Sequence, residues 1–141
     1  MNEMQPILKE LMDSLRRCKT CITDGIDATF GAKLRVELQD ILKELDLIES
    51  DTVSRCASVQ IHFDSLPALP AIICQMSNRL RLHFRNTDSE IAESMICCCN
   101  QSMIRIQRIA NSAHTDLMTS LLLHRFLGCL AASVRSLQHF L

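Results

Sequence analysis

Cysteine is the residue type in this chain that could carry out the widest range of chemistry, and eight cysteines are present among 141 residues. Three are adjacent in "SEIAESMICCCN" (Cys97, Cys98 and Cys99), and Cys18 and Cys21 form the C-x-x-C of "CKTC". An α-helix turns about 100° per residue, so three adjacent side chains cannot share one face. The helical pattern predicts Cys99 in the core, Cys98 at its boundary and Cys97 pointing outward. The triple cysteine is therefore not a site by itself.

Positions along antiparallel helices nevertheless predict that several cysteines meet near the middle of a bundle. Thiolates suit soft metals, and zinc needs four ligands where Cu(I) can use two or three. Reduced cysteines also pack well in an apolar core, and core packing is the favoured interpretation. Soft-metal binding stays the alternative, and no cofactor is expected. The candidate metal ligands are Cys18, Cys21, Cys98, Cys99 and Cys129.

Common catalytic patterns are missing from the sequence. It contains no Glu-x-x-His pair for a di-iron site, no phosphate-binding glycine loop, no G-x-S-x-G and no H-E-x-x-H. The formal net charge of −1 gives no excess of positive charge for binding nucleic acid. We therefore expect neither an enzyme nor a nucleic-acid-binding protein.

The hydrophobic pattern predicts an all-α protein that forms a single domain over residues 1–141. Apolar residues recur at steps of three and four, and only three glycines and three prolines interrupt them. Thr87 with Glu90 three residues later is a capping box, which predicts the start of a helix. Four long helices and one short one are expected over 3–29, 32–60, 70–85, 88–111 and 115–140.

Short connections predict that the first two long helices are antiparallel neighbours, and likewise the last two. The long connection between the two pairs would hold the short helix. In the second helix, residues at heptad steps predict the buried face: Leu34, Leu38, Ile41, Leu45, Ile48, Thr52, Cys56 and Val59.

The chain resembles a group of uncharacterised ferritin-like helical proteins of Firmicutes. The resemblance is carried by "NEMQPILKELMDSLRRCKTCI", by "LRVELQDILKEL" and above all by "NTDSEIAESMICCCNQSMIRIQRIANSA". It implies a ferritin-like four-helix bundle. Combined with the helix pattern, the predicted fold is a ferritin-like up-down four-helix bundle with a short extra helix in the long connection between the helix pairs. It implies no activity and no catalytic residues, and the many cysteines depart from the pattern.

These observations together predict a non-enzymatic helical-bundle protein that serves as an interaction or scaffold module. No export signal or membrane span is seen, so the expected compartment is the cytoplasm and the expected state of the thiols is reduced. The last helix is apolar nearly all round, which predicts a homodimer with Leu122 and Phe126 as contacts. Gly128 is expected to lie where another backbone approaches closely.

Overall fold

The computed structural model describes residues 4–61, 87–112 and 115–141. These residues form four α-helices and, within these ranges, no β-strand. The all-α prediction is confirmed, and each helix boundary falls within two residues of the predicted one. The short helix predicted at 70–85 lies outside the described residues. The helices are α1 (Met4–Ala28), α2 (Ala32–Ser58), α3 (Asp88–Ser112) and α4 (Leu117–Gln138).

Each helix packs against two neighbours, so the four form a ring. α1 packs on α2 and α3, and α4 packs on the other sides of α2 and α3. α1 and α4 lie on a diagonal and contact each other only slightly. The predicted pairing of α1 with α2 and of α3 with α4 is therefore confirmed.

Two polar contacts fix the direction of the helices. Thr29, after the end of α1, donates a hydrogen bond to Asp88 Oδ1 at the start of α3 over 2.8 Å. Arg55, near the end of α2, forms an ion pair with Asp116 at the start of α4. Consequently α1 and α4 run one way and α2 and α3 the other. Ser58 and Asp88 lie at opposite ends of the bundle.

The core forms where the heptad pattern of α2 meets the other helices. Seven of the eight residues predicted for the buried face of α2 are buried, and Val59 is half-buried beyond the helix end. The one polar side chain among the helical seven, Thr52, donates its hydroxyl proton to Ile48 O over 2.7 Å. Burying a leucine or isoleucine side chain stabilises the fold by about 1.5–3 kcal/mol. This face of α2 is therefore a major source of stability.

The face that α4 buries differs from the prediction. Leu122 and Phe126 were expected at a dimer contact, but both are buried in the core of the monomer, so neither is accessible to a second copy. Gly128 was expected at a close helix approach, but it is exposed, and a Cβ atom added there would meet no atom within 4 Å. The outer face of α4 instead carries Leu117, Met118 and Leu121.

Among the described helices, α4 alone has the length and apolar composition of a membrane span. One third of its most apolar stretch is buried inside the bundle. A core helix of a bundle satisfies the same criteria, so this finding is weak evidence for a span.

Both helices of the second pair begin with a side-chain cap. Thr87 Oγ1 accepts a hydrogen bond from Glu90 N over 3.2 Å, which is the N-cap bond of the predicted capping box. The Thr87 hydroxyl also donates to Glu90 Oε1 over 3.0 Å. Asp116 accepts a hydrogen bond from Thr119 N at the start of α4. Partial burial raises the pKa of Asp116, but the hydrogen bond with Thr119 and the charge of Arg55 outweigh it and hold the pKa below its usual value.

Asp116→Ala is expected to lower the free energy of unfolding by about 1 kcal/mol, because α4 loses its cap and the ion pair between Arg55 and Asp116 is removed. The folded-state pKa of Asp116 is lowered, so its contribution is present at neutral pH and is lost as the pH falls below about 4. Denaturant unfolding at pH 7 and at pH 3 measures both effects. Asp116→Asn, which keeps the cap, is the control and should cost much less. An equal loss for both variants would contradict the role of the cap.

Candidate functional site

Five cysteines gather in the interior of the bundle and form what we call the thiol cluster. α1 brings Cys18 and Cys21, α3 brings Cys98 and Cys99, and α4 brings Cys129. Cys18, Cys21 and Cys99 are buried, and the other two are half-buried. All five predicted candidate ligands therefore lie in one region of the core.

The adjacent cysteines take the three positions that helical geometry predicts. Cys99 is buried, Cys98 is half-buried and Cys97 is exposed. The sulfur of Cys97 faces Gln101 Nε2 at 3.8 Å, one turn further along the outer face of α3. Cys97 is therefore separated from the cluster although it is adjacent to Cys98 in the chain.

Polar and sulfur contacts connect α1 to α3 through the cluster. Cys18 Sγ lies 3.0 Å from Ser102 Oγ, and Cys21 donates to Met95 Sδ over 3.9 Å. Cys98 lies on the same face of α3 between Met95 and Ser102, so it faces the gap between Cys21 and Cys18. The facing sides of α1 and α3 thus bring several sulfur atoms together.

Burial and mutual proximity keep the thiols of Cys18, Cys98, Cys99 and Cys129 protonated. The interaction with Cys98 and burial raise the pKa of Cys18. The interaction with Cys18 lowers the pKa of Cys98, but the interaction with Cys21 and burial outweigh it and raise the pKa. Burial raises the pKa of Cys99 and raises that of Cys129 to about 11. Because the thiolate is the nucleophile, these thiols are poorly reactive at neutral pH.

No group of three or more His, Cys, Asp or Glu side chains within the described ranges has the arrangement of a metal site. The cluster therefore lacks the four-ligand geometry that zinc requires. The arrangement instead provides pairs of thiols on facing helices as possible ligands. No disulfide joins any of the described cysteines: Cys18, Cys21, Cys56, Cys97, Cys98, Cys99 and Cys129.

Two polar or sulfur side chains beside the cluster were not predicted as part of it. Ser102 and Met95 lie on the buried face of α3 at steps of three and four from Cys98 and Cys99. That spacing could have identified both. Ser14 lies one turn before Cys18 on α1, is buried, and has a hydroxyl without a hydrogen-bond partner in the described part of the chain.

A second candidate site lies on the outer face of α4. Leu117, Met118 and Leu121 are 73%, 56% and 54% exposed, and we call them the α4 strip. Their spacing of three and four places them side by side on the first turns of the helix. Gly128 and Ala132 continue the same side of α4 and are also exposed. The first turns of this surface are apolar, and its second half carries the small residues Gly128 and Ala132 beside the exposed Arg125 and Arg135.

Comparison of the chain with protein-family models, with curated proteins and with solved structures gave no match. The resemblance to ferritin-like proteins of Firmicutes therefore stays a prediction.

Proposed function

We propose that the chain is a non-enzymatic helical-bundle protein of the cytoplasm that acts as an interaction or scaffold module and forms a homodimer through the α4 strip. One observation carries this proposal: three large apolar side chains are each more than half exposed on the outer face of one helix. Contiguous exposed apolar surface on a soluble protein is typical of an interaction site.

The neighbours of the strip favour helix-to-helix association. Gly128 and Ala132 follow Leu121 along the same side of α4, and a Cβ atom at Gly128 would meet no atom of its own chain. A helix from another chain can approach closely where the side chains are this small. Arg125, between Leu121 and Gly128, pairs with Glu44 and Asp51 of α2, so its charge has partners within the same chain.

The direction of the helices supports assignment to the ferritin-like bundles. α1 and α2 form one antiparallel pair, α3 and α4 form another, and α3 runs parallel to α2. A bundle of this kind needs one long crossover between its pairs, as ferritin-like folds have. The 28 positions from Val59 to Asn86, both included, provide the length.

The cysteines support two further parts of the proposal, the cytoplasmic compartment and the absence of enzymatic activity. No disulfide joins any of the seven described cysteines, as expected in a reducing compartment. The raised pKa values of Cys18, Cys98, Cys99 and Cys129 disfavour a thiolate nucleophile, which is consistent with a protein that is not an enzyme.

Sedimentation of the wild type and of Leu121→Glu tests the proposed dimer. We expect the wild type to be dimeric at micromolar concentration and Leu121→Glu to raise the dissociation constant by roughly tenfold or more, because a carboxylate would have to be buried. Val36→Glu is the matched control, since Val36 is 56% exposed on α2 and lies away from the strip. A monomeric wild type, or an equal effect of both variants, would refute the proposed dimer interface.

A further inference from the structure

Sulfur chemistry is concentrated where α1 faces α3. Cys18 of α1 contacts Ser102 of α3 and Cys21 contacts Met95, so Cys98, which lies between Met95 and Ser102 on the same face of α3, faces the two α1 thiols. Cys18 and Cys21 are nearly inaccessible to water. Thiolate and thioether sulfurs are soft ligands that select Cu(I) over hard cations. The position of this site in the core makes it independent of the α4 strip and of the interaction role.

The number of available ligands discriminates between soft metals. Zinc in proteins takes four ligands in a tetrahedron, and no three candidate side chains in the described part of the chain are arranged for that. Cu(I) is satisfied by two thiolates. A pair on facing helices, such as Cys18 and Cys98, is therefore sufficient for Cu(I) and insufficient for zinc.

We propose that Cys18 and Cys98 bind one Cu(I) ion as a bis-thiolate between α1 and α3, with Cys21 and Met95 as neighbouring sulfur atoms. Each thiol releases its proton to solvent as its sulfur binds the ion, and no electron is transferred. The complex of two thiolates with one Cu(I) carries a net charge of −1.

Two groups beside Cys18 can stabilise the negative charge of the complex. Ser102 Oγ, 3.0 Å from Cys18 Sγ, can donate its proton to the thiolate. Arg105 is close enough to Cys18 to act on it electrostatically, although it also pairs with Glu10 at 3.4 Å. A hydrogen-bond donor and a cation beside a buried thiolate reduce the cost of its charge. These two residues position and stabilise a ligand and do not bind the metal.

Anaerobic titration of the reduced protein with Cu(I) against a competing chelator tests the site. The wild type is expected to take up one equivalent. Cys18→Ser and Cys98→Ser should each weaken binding by at least about 100-fold, because loss of a ligand exceeds the 10–100-fold effect of losing an outer-shell partner. Cys97→Ser and Cys56→Ser are the controls: Cys97 is adjacent but outward, and Cys56 is buried in a separate apolar cluster. Both controls should bind like the wild type.

X-ray absorption on the wild-type complex keeps the test independent of whether a variant folds. Two sulfur ligands at copper are the expected result, and a shell of nitrogen or oxygen ligands would overturn the proposal. Absence of uptake by the wild type, unchanged uptake by a folded Cys18→Ser/Cys98→Ser variant, or an equal loss in Cys97→Ser would also overturn it. Circular dichroism establishes which variants are folded.

Discussion

Phe126→Ala is expected to lower the free energy of unfolding by about 3–5 kcal/mol. Phe126 is completely buried on α4 and is the largest of the fully buried side chains in the described part of the chain. Its replacement removes apolar surface from the core and leaves a cavity that the surrounding helices can fill only in part. A loss of this size is a large fraction of the stability of a single domain. Urea unfolding followed by circular dichroism measures it.

Leu121→Ala is the matched control on the same helix. Leu121 is 54% exposed, so its replacement in the monomer should change the free energy of unfolding by no more than about 0.5 kcal/mol. Both variants are best compared at a concentration where the wild type is monomeric. If Phe126→Ala kept the stability of the wild type and changed only its association, the sequence-based assignment of Phe126 to a dimer contact would be correct and the buried position wrong.

The error on α4 has a physical origin. The helix carries apolar residues on every side between 117 and 132, so their periodicity does not indicate which side is inward. The side that is buried includes Thr119 and Ser133 and excludes Leu117 and Leu121. Ser133 is tolerated inside because it donates to Cys129 O over 2.7 Å. The orientation of α4 depends on where α2 and α3 lie, and sequence pattern alone does not give that.

The helices themselves were predictable because their signals are local. Steps of three and four identify the buried face of α2, and the Thr87 capping box gives the start of α3. The gathering of cysteines was also predictable. The number of residues from a turn gives the level of each residue along the axis of an antiparallel helix pair. The rotation of about 100° per residue separates the side chains of Cys97 and Cys99. The partners of the thiols were not predictable, because the contacts with Ser102 and Met95 depend on how α1 is rotated against α3.

Two glycines inside helices show the same limit: the sequence gives their positions, but only the structure shows which atoms surround them. Gly25 belongs to the heptad pattern of α1 and Gly128 to the outer face of α4, and both occur inside regular helices. A Cβ atom at Gly25 would lie 2.8 Å from Met95 Sδ and 3.3 Å from Leu38 Cδ1. Within the monomer, small size is therefore needed at Gly25, where α2 and α3 approach α1, and not at Gly128.

Gly25→Leu is consequently expected to lower the free energy of unfolding by about 1–3 kcal/mol through overpacking, net of any gain in helix propensity. Gly128→Leu is the matched control, because it makes the same chemical change inside a helix and gains the same propensity of about 1 kcal/mol without a clash. Its stability should equal or exceed that of the wild type. Thermal and urea unfolding of the two variants at one low concentration give the comparison. Equal stability of the two variants would show that Met95 and Leu38 move aside without cost, and a loss confined to Gly128→Leu would show that the close approach lies on α4 after all.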